Sequence, residues 1–350
     1  MFYFCNHCNA SLKALQLFKN FTQYQENSSC DCPGAFSANV LKYVDIPSKI
    51  EILLSHLKDP VVEVREAGCQ ASVQYVNEKL IPSLLKNLED GHTYNDALKA
   101  LVTQGTMLIH YIREHFDQFS SHLKEEAVKL LKFIKEEKSL NFLEQILEQK
   151  ERRIFHETLS SLKHLGYKAL NKKQLKLIKN LLQEEKQNIV TLKRHISSLN
   201  SKENKALCDL LNREIELTQE RSFLMLTFIY PETSIEKAMK GLSIDDEDIE
   251  SYATEILIQT LSPEDKKNLI AELLYRPYAE KQKNEEHPNK ETLIKILEYA
   301  PACYIKAMPS AVIYTIGSMR LASLKEEVSK YESKTDPFIK EMKAWTLTQL

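Results

Sequence analysis

Apolar residues recur at three- and four-residue steps along almost the whole chain, the spacing of one buried helix face. In KIEILLSHL the positions Ile50, Ile52, Leu53, Leu54 and Leu57 share one broad side. The stretch DPVVEVREAG follows, where Asp59 reads as a helix cap and Pro60 as its first turn. Val64, Ala67, Ala71 and Tyr75 then continue the stripe, and Leu80, Leu84, Leu85 and Leu88 carry it into a helix opened by Pro82. Further segments fall in pairs: 93–104 with 106–119, 121–136 with 138–149, 151–165 with 171–183, then 185–199. From about Ser201 one unbroken pattern runs to Tyr230, where Pro231 stops it; a helix of that length spans about 45 Å. Shorter helices are expected at 232–241, 245–260, 263–275, 289–299, 301–317, 319–332 and 336–349. The charged stretch Arg276–Glu291, with Pro277 and Pro288 and almost nothing apolar, reads as a loop.

Short helices with one apolar face each cannot bury that face alone. Stacked side by side they share a continuous core, so the pattern predicts an all-α protein built as an α-solenoid of antiparallel helix pairs. Composition sharpens this. Seven glycines in 350 residues is far below ordinary usage of about 7%. Glycine-rich phosphate loops and tight strand–helix turns need that residue, so a nucleotide-binding α/β fold is disfavoured. Three regions are expected: an N-terminal cysteine-containing cap (1–36), helical repeats (37–200), and a long helix followed by further repeats (201–350).

The opening DPVVEVREAG has a counterpart in DPFIKEMKAW, Asp336–Trp345. Asp-Pro followed by an aliphatic-basic-acidic triplet (Val64-Arg65-Glu66, Ile339-Lys340-Glu341) resembles the HEAT repeat, over most of residues 37–350. A second likeness lies in Arg213–Leu242 and YATEILIQTL (Tyr252–Leu261), and continues through AVIYTIGSM and DPFIKEMKAWTL. It is similar to the soluble helical-repeat tail of bacterial transporters related to the ATP/ADP translocases and the major facilitator class. The matching positions are Arg221, Phe223, Tyr230, Ile235, Ala238, Gly241, Leu242, Ala253, Glu255 and Leu257; Tyr252 and Ile258 stand where the pattern has polar residues. The transporters' membrane helices are missing here. The resemblance therefore implies a HEAT-like fold and a place near a transporter or the inner-membrane surface, and no transport activity.

Candidate chemistry is sparse. Cys5, Cys8, Cys30 and Cys32, with His7 nearby, could supply thiolates for a small zinc knuckle closing one end of the stack; the alternative is free thiols. Asp245-Asp246-Glu247-Asp248 lacks the glycine and alternation of a calcium loop and reads as acids at a helix start. His110, His115 and His122 do not have the four-residue spacing of a zinc helix. The pairs Glu125-Glu126 and Glu184-Glu185 read as solvated surface. No Ser-His-Asp or Cys-His set can be assembled locally, so no enzyme and no cofactor are expected.

Charge adds one feature. Between Lys150 and Arg194 there are twelve Lys or Arg and four Glu, while residues 201–350 carry a net charge of −6. Lys172, Lys173, Lys176 and Lys179 cluster on one helix, and are candidates for an anionic partner, either lipid headgroups or nucleic-acid phosphate. Apolar runs are too short for a membrane helix: FLMLTFIY, Phe223–Tyr230, is the longest. The N-terminus MFYFCNHC lacks the basic start of a signal peptide, and seven cysteines, several inside helical patterns, suggest a reducing cytoplasm. The expected role is a non-enzymatic scaffold that binds a protein partner, peripheral to the inner membrane or a transporter. The alternative is a HEAT-like DNA-binding protein or alkyl-purine DNA glycosylase. Against it, the single tryptophan, Trp345, lies far from the basic stretch, so nucleic acid is the less favoured partner.

Overall fold

The computed structural model describes residues 48–149, 151–199, 204–276, 290–331 and 337–350. The cap 1–36 with its four cysteines lies outside the described residues, as does nearly all of the loop expected at 276–291. Among the described residues every regular element is helical, and there is no strand. No described helix is long and apolar enough to cross a membrane. The all-α expectation holds.

The chain divides into two compact units, 1–149 and 150–350. In the first, the α-helices are α1 (Lys49–His56), α2 (Val62–Ser72), α3 (Ile81–Leu88), α4 (Tyr94–Thr103), α5 (Thr106–His115), α6 (Ser121–Leu131) and α7 (Glu137–Gln149). The second holds α8 (Arg152–His164), α9 (Lys172–Ser197), α10 (Lys205–Thr227), α11 (Glu232–Leu242), α12 (Glu247–Thr260) and α13 (Pro263–Leu273). It continues with α14 (Lys290–Tyr299), α15 (Met308–Ser318), α16 (Lys325–Lys330) and α17 (Pro337–Gln349). Within each unit successive helices pack on one another, as stacked helix pairs require. The division falls at 149/150 and not near 200, because α8 and α9 both pack on α10.

In the first unit Leu53, Leu80, Leu84, Leu101, Leu108, Ile112 and Leu131 are fully buried. Two amides tie its helices together. Asn87 Nδ2 donates to the carbonyls of Leu57 and Ser83, both at 2.8 Å. Gln104 Nε2 donates to the Tyr75 carbonyl at 2.8 Å, and its Oε1 accepts the Asn77 amide at 2.8 Å. Backbone groups freed at helix ends are thus satisfied by a neighbouring helix's side chain. The second unit repeats the device: Gln219 Nε2 donates to the carbonyls of Glu272 and Tyr275, each at 2.8 Å. Its core includes Ile189, Leu192, Leu211, Ile215, Ile296, Val312 and Ile316.

Three of the differences from the expected boundaries have a visible cause. The helix after Asp59-Pro60 begins at Val62, with Val61 as its extended N-cap. Asp59 Oδ1 accepts the Val61 amide at 2.8 Å, so it turns the chain before the helix and does not cap it. Arg65 folds back over this turn: Nη1 donates to the Asp59 and Pro60 carbonyls, and Nη2 pairs with Asp90. Residues 171–183 and 185–199 form one 26-residue helix, α9. Gln183-Glu184-Glu185-Lys186 contains no glycine or proline to break it, and Asn171 with Gln174 closes a capping box at its start. Finally α15 starts at Met308 and not near 301, because the amides of Tyr304 and Ile305 are turned to Glu214.

Scarce glycine is used where helices touch. A Cβ on Gly241 would lie 2.7 Å from Ala253 Cβ, and one on Gly317 would lie 2.8 Å from the Trp345 ring and from Thr346 Oγ1. These sites let α11 meet α12, and α15 meet α17, at close range.

Candidate functional site

The core-facing stripe of α10 is not purely apolar. Glu214, Thr218 and Arg221 follow at four- and three-residue steps, in line with Leu211 and Ile215. Opposite them α9 presents Glu185. Arg221 Nε donates to Glu185 Oε2 at 2.9 Å, and Nη2 lies 2.8 Å from the same oxygen and 2.8 Å from Thr218 Oγ1. Glu185 Oε1 accepts the Asn188 amide at 3.0 Å. Glu214 Oε1 lies 3.7 Å from Arg221 Nη2. Its two oxygens accept the Tyr304 and Ile305 backbone amides at 3.0 Å each. Arg221, Glu185 and Glu214 are 3%, 5% and 1% exposed, so three charges sit inside the second unit. Burial pushes the Glu214 carboxyl up from its usual range, against the pull of the two amides and Arg221.

Beside this triad lies a cavity of about 30 Å³ lined by Arg152, Phe155, Glu184, Arg221 and Tyr304, and Arg221 Nη1 has no hydrogen-bond partner among the described residues. That volume suits a water or two and is far below the roughly 300 Å³ of a small-molecule pocket. Size decides the reading: the triad locks α9, α10 and the segment before α15 together. Its signal in the sequence was two acidic and basic residues on an otherwise apolar helical face.

Both glutamate pairs expected to be solvated are half wrong. Glu185 is buried as described, and Glu126 is 5% exposed, held by the Tyr94 hydroxyl at 2.8 Å and Lys129 at 3.0 Å. Each adjacent pair sends one carboxylate inward because neighbours on a helix point about 100° apart. Asp246 does cap α12, accepting the amides of Asp248 and Ile249 at 3.0 Å. His115 stacks on Tyr111 at 4.2 Å, and His110 approaches Lys138. No group of three His, Cys, Asp or Glu among the described residues is placed to hold a metal. The candidate ligands Cys5, Cys8, Cys30 and Cys32 lie outside the described residues. Cys69, Cys208 and Cys303 are buried free thiols, and burial raises Cys69 to about 12 and Cys303 further still.

Part of the basic segment 150–194 is answered by acids of the same unit. Lys163 pairs with Glu236 at 2.5 Å and Glu232 at 3.7 Å. Lys168 Nζ donates to the Thr227 carbonyl. Of the four clustered lysines, Lys179 is committed to Glu264 at 3.0 Å and Asp265 at 3.7 Å, while Lys172, Lys173 and Lys176 are exposed on the first turns of α9. Asp265 also accepts the Tyr230 hydroxyl, which in turn accepts the Ser262 amide at 3.1 Å. Charge contrast along the sequence therefore becomes contact inside the second unit.

An open groove of about 410 Å³ runs among α10, α11 and the end of α13. Phe223, Met239, Leu242, Leu273 and Tyr275 supply apolar walls, and Arg213, Glu216 and Lys240 lie at its edge. On the adjoining helix pair Met239, Ile244, Ile249, Tyr252 and Ile258 stand 36–65% exposed.

Burial lowers the basicity of His56, His156 and His195. Their neutral forms are favoured in the folded chain, while in the unfolded chain they titrate near pH 6.5. As pH falls through that value the unfolded state takes up protons that the folded state refuses, so stability drops. Urea midpoints should fall between about pH 7.5 and 6, and His156→Gln with His195→Gln should flatten the slope for the second unit. Glu214, with its raised value, acts in the opposite sense.

No family model and no curated protein matches the chain. Among solved structures, it is similar to an engineered protein determined by the Northeast Structural Genomics Consortium, at 14% identity, covering 92% of this chain and 86% of that one, with a TM-score of 0.28.

Proposed function

We propose that this chain is a non-enzymatic, HEAT-like helical scaffold that binds a protein partner, at a membrane transporter or the inner-membrane surface. One observation carries the reading: Met239, Ile244, Ile249, Tyr252 and Ile258, on α11, α12 and the turn between them, stand in water, and Met239 also lines the open groove. Tyr252 is 65% exposed and Ile258 45%. Large exposed apolar patches on a folded chain favour a contact that covers them. Aromatic and methionine side chains of this kind are enriched at protein interfaces. The groove's rim carries both signs of charge, which suits a polypeptide better than a polyanion.

The test is purification of the full chain with its bound proteins, from membrane and cytosolic fractions, beside a Tyr252→Glu, Met239→Glu variant. A stoichiometric partner retained by the native chain and lost by the folded variant supports the reading. A partner retained equally by both, or a complex in which this chain supplies active-site groups, would overturn it.

A further inference from the structure

The loop joining α8 to α9 holds Leu170 out in water. It is 88% exposed, more than any other large apolar side chain among the described residues. Its neighbours are locked on both sides. Helix α8 ends in a Schellman turn: Gly166 has φ of +74°, its amide donates to the Lys163 carbonyl at 2.9 Å, and the Tyr167 amide donates to Leu162 at 3.0 Å. The Tyr167 ring is buried edge-on against Phe228, centroids 5.2 Å apart. Lys168 reaches the Thr227 carbonyl, and the Ala169 amide donates to the Phe228 carbonyl at 3.0 Å. On the far side the Leu170 amide donates to Gln174 Oε1 at 3.1 Å, and Asn171 caps α9. The backbone is thus anchored residue by residue while the one leucine between the anchors points away from the protein. A leucine there does nothing for the core, and the fold does not let it turn inward.

Two exposed lysines, Lys172 and Lys176, follow on the first turns of α9. Lys179, one turn further on, is paired with Glu264 and Asp265. We propose that this corner is a docking point for an anionic lipid bilayer, with Leu170 entering the acyl boundary and the lysines meeting headgroup phosphates. Charge complementarity chooses the sign of the surface. The leucine chooses a bilayer over a nucleic acid, because a phosphate backbone offers an apolar side chain nothing, whereas the acyl region removes it from water. This site uses none of the exposed apolar side chains of α11 and α12 and does not depend on the partner-binding reading.

The experiment is co-sedimentation of the full chain with vesicles of phosphatidylcholine alone, or with phosphatidylglycerol at about one part in three, at low and high salt. Binding should require phosphatidylglycerol and weaken with salt. Leu170→Asn should weaken it about tenfold, and each lysine reversed about fivefold or more. These side chains are exposed, so both variants should keep the native urea midpoint. Tyr252→Glu should leave vesicle binding unchanged, which separates this site from the scaffold surface. Three results would overturn the proposal: no binding to anionic vesicles, binding indifferent to Leu170→Asn, or duplex DNA bound through the lysines more tightly than the vesicles.

Discussion

Arg221→Met should destabilise the second unit by about 3–5 kcal/mol. The variant keeps most of the side chain's volume and removes only its charge and donors. Glu185 and Glu214 are then left as buried carboxylates, 5% and 1% exposed, with the two donors that converge on one and the paired cation of the other gone. The cost lies in those uncompensated charges and not in a lost attraction. That distinction has its own readout. Arg221→Met combined with Glu185→Leu should recover at least half of the loss, since Glu214 still has the Tyr304 and Ile305 amides. Urea denaturation of the three proteins measures it. A double variant no better than the single one would mean that Arg221 acts through packing instead. The second unit should show the change in its own transition where the two units unfold separately.

Phe228→Ala should cost a similar amount, about 3–5 kcal/mol, for a different reason. Phe228 is 2% exposed at the end of α10, and its ring receives the edge of Tyr167. Truncation leaves a cavity where the Schellman turn of α8 was held, so the loss has two parts: buried area and the anchoring of residues 166–171. The second part is read by hydrogen exchange at the Ala169 amide, which should speed up beyond what global destabilisation explains. Phe228→Leu should cost less than about 1.5 kcal/mol and leave that amide protected. If the proposal for Leu170 holds, Phe228→Ala should also weaken vesicle binding without touching any exposed residue.

Much of the local structure was legible because helix formation reads local spacing. The segments 151–165, 232–241 and 245–260 match α8, α11 and α12 to within a residue or two. Errors came where a helix end is decided by a distant group. The break expected between 183 and 185 is absent, since nothing in Gln183-Glu184-Glu185 enforces one. The late start of α15 is set by Glu214, about ninety residues earlier, taking two amides that would otherwise have served a helix.

The candidate surfaces were half legible. Lysines at 172, 173, 176 and 179 were visible as a cluster, yet Lys179 belongs to Glu264 and Asp265. Leu170 gives no signal in the sequence, since a lone leucine between turn residues reads the same whether it is buried or exposed. Tyr252 and Ile258 stand where the pattern has polar residues and are exposed on α12, while the groove is lined from α10, α11 and the end of α13, which no single stretch of sequence brings together.

By itself, the sequence determined that the chain is helical throughout its described length, because periodicity and glycine scarcity act over a few residues. Only the tertiary structure decided which charges are buried, which lysines remain in water and where the two units divide. Those outcomes depend on which helix lies against which, and the energy of a carboxylate or a leucine is set by what surrounds it in space.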